Sequence, residues 1–215
     1  MRFDILTIFP GLFKSFLKES LIAKAIKNDK ISLNIHNIRD FSRDKHNTVD
    51  DKPYGGGPGM VLMVEPIYKC LKSIKRLKES KTIILTPKGR NYKQKTAFKY
   101  SQLDQLILIC GRYEGFDERI KEFVDGELSI GNYITMGGEI PSMVIVESVA
   151  RLIPGVLGDK ESVIEESFAQ KKDYLEYPQY TRPAEYKGLK VPKILLSGDH
   201  KKIRIWRQNN SRTKK

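Results

Sequence analysis

Cysteine, histidine and tryptophan are scarce in this 215-residue chain, which has two Cys, three His and one Trp. Cys70 and Cys110 have no paired spacing, which excludes a zinc ribbon or a disulfide scaffold and suits a reducing cytosol. His36, His46 and His200 lack ligand spacing, so no metal site is assigned. No Gly-x-Ser-x-Gly elbow occurs, which argues against Ser–His–Asp chemistry. No apolar run approaches the roughly 18 residues that a membrane helix needs, so no membrane partner is expected. The N-terminal stretch MRFDILTIFPGLF carries Asp4 and lacks a small-residue cleavage site, so it reads as a first strand and not as a signal peptide. Internal repeats and low-complexity tracts are also missing.

A composition of 40% hydrophobic residues is enough to build a core. The net charge is +13, and it is unevenly spread. Residues 69–99 hold 11 Lys and Arg against one acid, and residues 190–215 hold 9 against one. Between them, residues 100–189 hold 9 cations against 16 acids. Two basic blocks on a balanced body fit a polyanion such as nucleic acid, although lysine on solvated helix faces gives the same count.

Residues 2–8 read as a buried strand, and Pro10 opens a helix expected to reach about Asn28. A strand is expected over 31–38, helical periodicity over 64–79, and short buried strands at 82–86, ending at Pro87, and at 106–110. A helix over 92–100 and an apolar helix over 140–152, stopped by Pro154-Gly155, complete the alternation. Strands alternating with helices predict an α/β domain with a mostly parallel sheet. Residues 158–172 are polar without an apolar face and read as a linker or lid; residues 173–215 are rich in Tyr, Pro and Lys.

Three glycine-bearing loops stand out. The first, Tyr54 to Met60, is neither a P-loop nor a dinucleotide fingerprint. Glycine richness alone fits a flexible turn equally well, but Pro58 gives this loop a shape. His46, Asp50 and Asp51 lie just upstream; a surface role for His46 outweighs a direct catalytic one. The second loop, Cys110 to Arg119, follows a buried strand, and its two glycines let the backbone approach a ligand closely. The third, Ser129 to Glu139, has glycines at both ends and suits a flat ligand read by backbone groups. Ligands of α/β sheets bind where such loops gather.

At these loops the sequence resembles the bacterial tRNA (guanine-N1-)-methyltransferases of the TrmD type, a knotted SPOUT class. The resemblance rests on RDFxxDxHxxVDDxPYGGGPGM (39–60), GRYEGxDER (111–119), SIGxYxxxGGE (129–139), RxIPGVLG (151–158), SFxxxxxxxPxYTRP (167–183) and VPxxLLSGxHxxIxxWR (191–207). It implies a cytoplasmic, homodimeric, S-adenosylmethionine-dependent enzyme with active sites between subunits. The implied fold is a parallel-sheet α/β domain with a deep trefoil knot over residues 1–157, the linker or lid over 158–172, and a small, mainly helical tRNA-binding domain over 173–215. Relatives usually continue further past Trp206-Arg207, so that last domain reads as shortened. The implied substrate is tRNA with guanosine at positions 36 and 37, methylated at N1 of the second. Carried over by motif, the cofactor lies against Leu85, Thr86, Pro87, Gly111, Tyr113, Glu114, Ile130, Gly131, Asn132, Tyr133, Ile134, Thr135, Gly137 and Gly138. His46, Asp50, Gly55, Gly56, Gly57 and Pro58 fall on the RNA side. The catalytic arginine falls on Arg151, and the general base falls on Glu166, where the family has Asp. Read as bare residues, Arg151 is a cation at a helix end and Glu166 a solvated acid. A Mg²⁺ requirement is not assignable from the sequence. A knotted enzyme with another RNA target would not carry the 39–60 and YTRP motifs, and a non-catalytic RNA-binding protein is supported only by Glu166 and the short C-terminus.

Overall fold

The short apolar runs near residues 2–8, 82–86 and 106–110 become neighbouring strands of one sheet, buried on both faces as continuous apolar strands must be. The computed structural model describes residues 1–158, 166–168 and 174–213. These fall into two compact units, Met1–Gly158 and Asp159–Lys215.

In the first unit β1 (Arg2–Thr7) pairs in parallel with β2 (Ser32–Asn37). The segment between them was expected as one helix. Instead a 3-10 turn (Pro10–Phe13) leads into α1 (Lys14–Lys18), and a break precedes α2 (Ser20–Lys27). The break is a local conformational switch: Glu19 is extended and Ser20 has φ +61, which cannot continue a right-handed helix. Next come β3 (Asp50–Asp51) and β4 (Val61–Leu62), an antiparallel pair that closes the first glycine loop into a hairpin. The following helix, α3 (Val64–Ser73), ends earlier than the periodicity over 64–79 implied.

The strand expected to stop at Pro87 continues: β5 spans Ser80–Asn91. Its pairing with β7 (Gly126–Ser129) is interrupted, because Leu85 and Arg90 both face Leu128 and residues 86–89 bulge out. Proline has no N–H for the ladder, which explains the interruption. Gly89 then lets the strand resume, since a Cβ there would lie 2.5 Å from the Leu128 backbone nitrogen. α4 (Gln94–Tyr100), β6 (Gln105–Cys110) and α5 (Glu139–Ala150) complete the unit. The sheet order is β2-β1-β6-β5-β7, parallel throughout. Side chains of β6 alternate between two cores: Leu106, Leu108 and Cys110 join one with α4 and α5 residues, and Ile107 and Ile109 join the other with α3 residues. Both thiols are buried; burial pushes Cys70 up to about 12 and raises Cys110 as well.

In the second unit β8 (Tyr174–Leu175) pairs with β11 (Arg212–Thr213). A hairpin joins β9 (Glu185–Tyr186) to β10 (Leu189–Lys190) through Lys187 and Gly188, both at positive φ, as a tight hairpin turn requires. α6 (His200–Asn210) is capped by Asp199, whose carboxylate accepts from the Lys202 amide at 3.1 Å. Trp206 packs edge-on to Tyr180, and the Arg207 guanidinium lies over the Tyr177 ring. No described residue of this unit is fully buried.

Candidate active site

Three segments meet at the carboxyl ends of β6 and β7 and the bulge within β5: Thr86–Lys88 of that bulge, the loop from Gly111 and the loop from Ile130 to Gly138. They enclose a cavity of about 330 Å³. Leu85, Leu128, Ile130, Ile134 and Pro141 give it apolar walls, and Lys88, Arg112 and Glu114 give it charges of both signs. An apolar cleft with a few convergent polar groups, at the carboxyl edge of a parallel sheet, is where α/β proteins bind small ligands.

Of the residues the sequence placed around the cofactor, Leu85, Thr86, Pro87, Gly111, Tyr113, Glu114, Ile130, Tyr133, Ile134, Thr135, Gly137 and Gly138 all line this cleft. Gly131 and Asn132 do not. Gly131 is held in a turn by the Ser129 hydroxyl, and Asn132 accepts from the Asn91 amide at 3.2 Å. Tyr113 sits at φ +58, a conformation rare for a bulky residue and concentrated at functional sites.

The loops touch each other closely. The Gly138 amide donates to the Gly111 carbonyl at 2.8 Å. A Cβ on Gly138 would lie 2.6 Å from the Cys110 Cα, so only glycine fits. Beneath them the buried Glu139 carboxylate, 1% exposed, accepts from the Thr7 hydroxyl at 2.7 Å and from Arg112 Nε at 3.0 Å. The sequence reading did not single out Lys88 or Glu139, whereas Arg112 falls within the Gly111–Glu114 stretch it set against the cofactor. Glu139 stands inside the third motif, but its burial depends on a partner 132 residues away.

The Gly55 loop packs against Glu114, a cleft residue, and does not itself line the cleft. Gly55, Gly56 and Gly57 have φ of +87, +80 and +119 with open space around each, so backbone conformation alone demands glycine there. Pro58 follows and is exposed. A Cβ on Gly59 would meet the Glu114 carboxylate at 2.5 Å, and the Glu114 amide donates to the Met60 carbonyl at 3.0 Å. Glu114 therefore lies between the cleft and this loop. Asp50 is in β3 at the base of the hairpin. His46 is exposed in a turn organised by Asp44, whose carboxylate accepts from Ser42, His46 and Thr48; these bonds hold its pKa far below the usual carboxylate range.

Arg151 caps α5 and does not line the cleft. It borders a second cavity of about 640 Å³ with Leu12, Phe16, Ser20, Met143 and Glu147. Ile140, Val144 and Glu147 precede it along one exposed stripe of α5, at the spacing of a helix face. Glu166 belongs to the second unit, in the short segment where the Phe168 amide donates to the Tyr174 carbonyl at 2.8 Å. Glu165 and most of the expected lid, 158–172, lie outside the described residues. Among the described residues, no group of three or more His, Cys, Asp or Glu is placed to hold a metal ion, and no helix is long and apolar enough to cross a membrane.

The family model described as tRNA (Guanine-1)-methyltransferase TrmD matches residues 1–215. The chain is 52% identical over 211 residues to a tRNA (guanine-N(1)-)-methyltransferase of Dictyoglomus turgidum, covering 98% of this chain and 85% of that protein. It is 54% identical over 212 residues to one of Carboxydothermus hydrogenoformans, covering 98% and 83%. It is 50% identical over 215 residues to one of Clostridioides difficile, covering 98% and 92%.

Proposed function

The chain belongs to the tRNA (guanine-1)-methyltransferase family, and from that premise we propose that it transfers a methyl group from S-adenosylmethionine to N1 of guanosine 37 in tRNA, where guanosine 36 precedes it. The observation that carries this reading is the coincidence of the two routes to the site. The cleft closed by the Gly111 and Gly138 loops is lined by twelve of the fourteen residues that the family motifs assign to the cofactor.

The cleft fits the cofactor chemically. Apolar walls at Leu85, Ile130 and Ile134 suit adenine, and glycine backbones can read its edge. Glu114 suits the cationic end of the methionine moiety, while Lys88 suits its carboxylate. When bound, S-adenosylmethionine supplies a methyl group on a positively charged sulfur. The remaining work falls to the protein. Guanine N1 carries a proton near neutral pH, and Glu166 removes it. Negative charge then grows at O6, where the Arg151 guanidinium stabilises it by charge-assisted hydrogen bonding. The Gly55–Pro58 loop, with Asp50 at its base and His46 upstream, forms the wall against the target nucleotide.

Within one chain Arg151 faces a different cavity from the cofactor cleft. That separation supports a homodimer in which the α5 face of one subunit completes the cleft of the other. Exposed apolar side chains on and near that face, among them Leu12, Leu21, Ile140 and Val144, support the same arrangement. A trefoil knot in the first unit, tRNA binding by the basic second unit and a cytoplasmic location belong to the same reading.

The test is incubation with radiolabelled S-adenosylmethionine and tRNA transcripts carrying guanosine or adenosine at positions 36 and 37. Label should enter only the transcript with both guanosines, and digestion should yield 1-methylguanosine. No transfer to that transcript overturns the proposal.

A further inference from the structure

We propose that Glu139 is a positioning residue of this reaction, whose buried carboxylate latches the two loops of the cleft in the shape that holds the cofactor. The inference rests on the reading of the cleft as the S-adenosylmethionine site.

A carboxylate that is 1% exposed must be paired, because burying an unpaired charge is very costly. Glu139 is the first residue of α5, where the helix N-terminus favours negative charge. Its Oε1 accepts from the Thr7 hydroxyl at 2.7 Å, and its Oε2 accepts from Arg112 Nε at 3.0 Å. Thr7 is held in turn, since its hydroxyl oxygen accepts from the Phe9 amide at 2.9 Å. Arg112 donates through Nη1 to the Met136 carbonyl at 3.2 Å, and its guanidinium lies 4.6 Å from the centre of the Phe9 ring. The circuit therefore closes on itself through Thr7, Phe9, Arg112 and Glu139.

The latch joins segments distant in sequence. Arg112 belongs to the loop after β6 and Met136 to the loop after β7; both line the cleft, whereas Glu139 and Thr7 stand behind it. Gly137 has to be glycine for the pair to pack, because a Cβ there would lie 2.6 Å from the Glu139 carboxylate. Glutamine at position 139 keeps the volume and one acceptor. Its one acceptor oxygen, however, cannot serve Thr7 and Arg112 together as the carboxylate does, and the arginine would lose the anion that fixes it against Met136. The loops would then spend part of their time apart, and a cofactor that needs them together would bind less well.

Glu139→Gln, Thr7→Val and Arg112→Lys test the latch by three readouts. In Glu139→Gln the dissociation constant for S-adenosylhomocysteine, by calorimetry, should rise about ten- to a hundredfold, as loss of one charge-assisted hydrogen bond implies. The KM for S-adenosylmethionine should rise in parallel, with kcat at saturation changed much less. Without ligand, deuterium uptake should increase at 111–116 and 130–138 while β1 and β6 stay protected. Thr7→Val and Arg112→Lys should move the same readouts in the same direction, which keeps the test intact if Glu139→Gln does not fold. Unchanged cofactor affinity in folded variants, or a lower melting temperature with unchanged affinity, would overturn the positioning role. Wild-type protein that leaves S-adenosylhomocysteine unbound would overturn the cofactor reading itself, and the ligand-free exchange would still decide whether Glu139 holds the loops.

Discussion

Asp4 shows how far a single residue can depart from what its type suggests. It lies in the middle of β1, fully buried, and burial alone would raise its pKa. Hydrogen bonds from His36, Arg2, Gln105 and Asn34 more than offset that, and they hold the group at about 2 against an ordinary 3.8. A carboxyl depressed in the folded state stabilises the fold fully above its unfolded value, and the contribution is lost as pH falls toward the folded value. The shift corresponds to about 2 kcal/mol. The urea midpoint should therefore drop between pH 4 and pH 2 in the wild type, by more than in Asp4→Asn; parallel pH profiles would refute the assignment. At Glu166 the expectation concerns turnover. Glu166→Ala should lose about a hundredfold or more in single-turnover rate with S-adenosylhomocysteine affinity unchanged. A near wild-type rate would remove Glu166 from the mechanism. Neither Asp4 nor Glu139 was legible as a buried anion, because each owes its burial to partners on other strands, such as Gln105 for Asp4 and Thr7 for Glu139. Gly55, Gly56 and Gly57, by contrast, were legible, because glycine at positive φ answers a local demand.

Among the elements, β5 carries most of the difference between sequence and structure. Its apolar half was plain from TIILT, but Pro87 read as an end. In the fold it is the start of a bulge, and Gly89 returns the chain to the ladder against Leu128. Three of the four bulged residues, Thr86, Pro87 and Lys88, become one wall of the cleft, so the irregularity places the site. The Pro10–Asn28 segment kept its apolar spacing but not its continuity, since periodicity does not report a reversal of φ at Ser20. The glycine loops differ in what they tolerate, and this can be measured. Gly138→Ala must push a Cβ into the Cys110 backbone at 2.6 Å, so cofactor affinity should collapse and the melting temperature should fall. Gly57→Ala meets open space and suffers only the backbone strain of φ +119, about 1–3 kcal/mol. It should leave S-adenosylhomocysteine binding intact and weaken tRNA-dependent turnover. Equal loss of cofactor affinity in both would contradict the division of labour between the loops.

For the whole molecule, alternation of strand and helix was enough to read a parallel α/β sheet, and the charge blocks at 69–99 and 190–215 were enough to suggest a polyanion. What the sequence did not show is that Arg151 turns away from the cleft of its own chain. If a second subunit brings the two together, Ile140→Asp with Val144→Asp should yield a 24.7 kDa monomer by sedimentation and lose turnover. Wild-type protein that sediments as a fully active monomer would refute the shared site. The two thiols have a practical use. Cys70 and Cys110 are shut inside the first unit and resist ionisation, so maleimide dyes should leave the native chain unmarked. A cysteine introduced at Tyr186 on the hairpin and another at Tyr54 on the glycine loop would then accept a fluorophore pair without removing any native residue of the core. Energy transfer between the two dyes would report, in solution and in real time, how the distance between hairpin and loop changes when tRNA arrives.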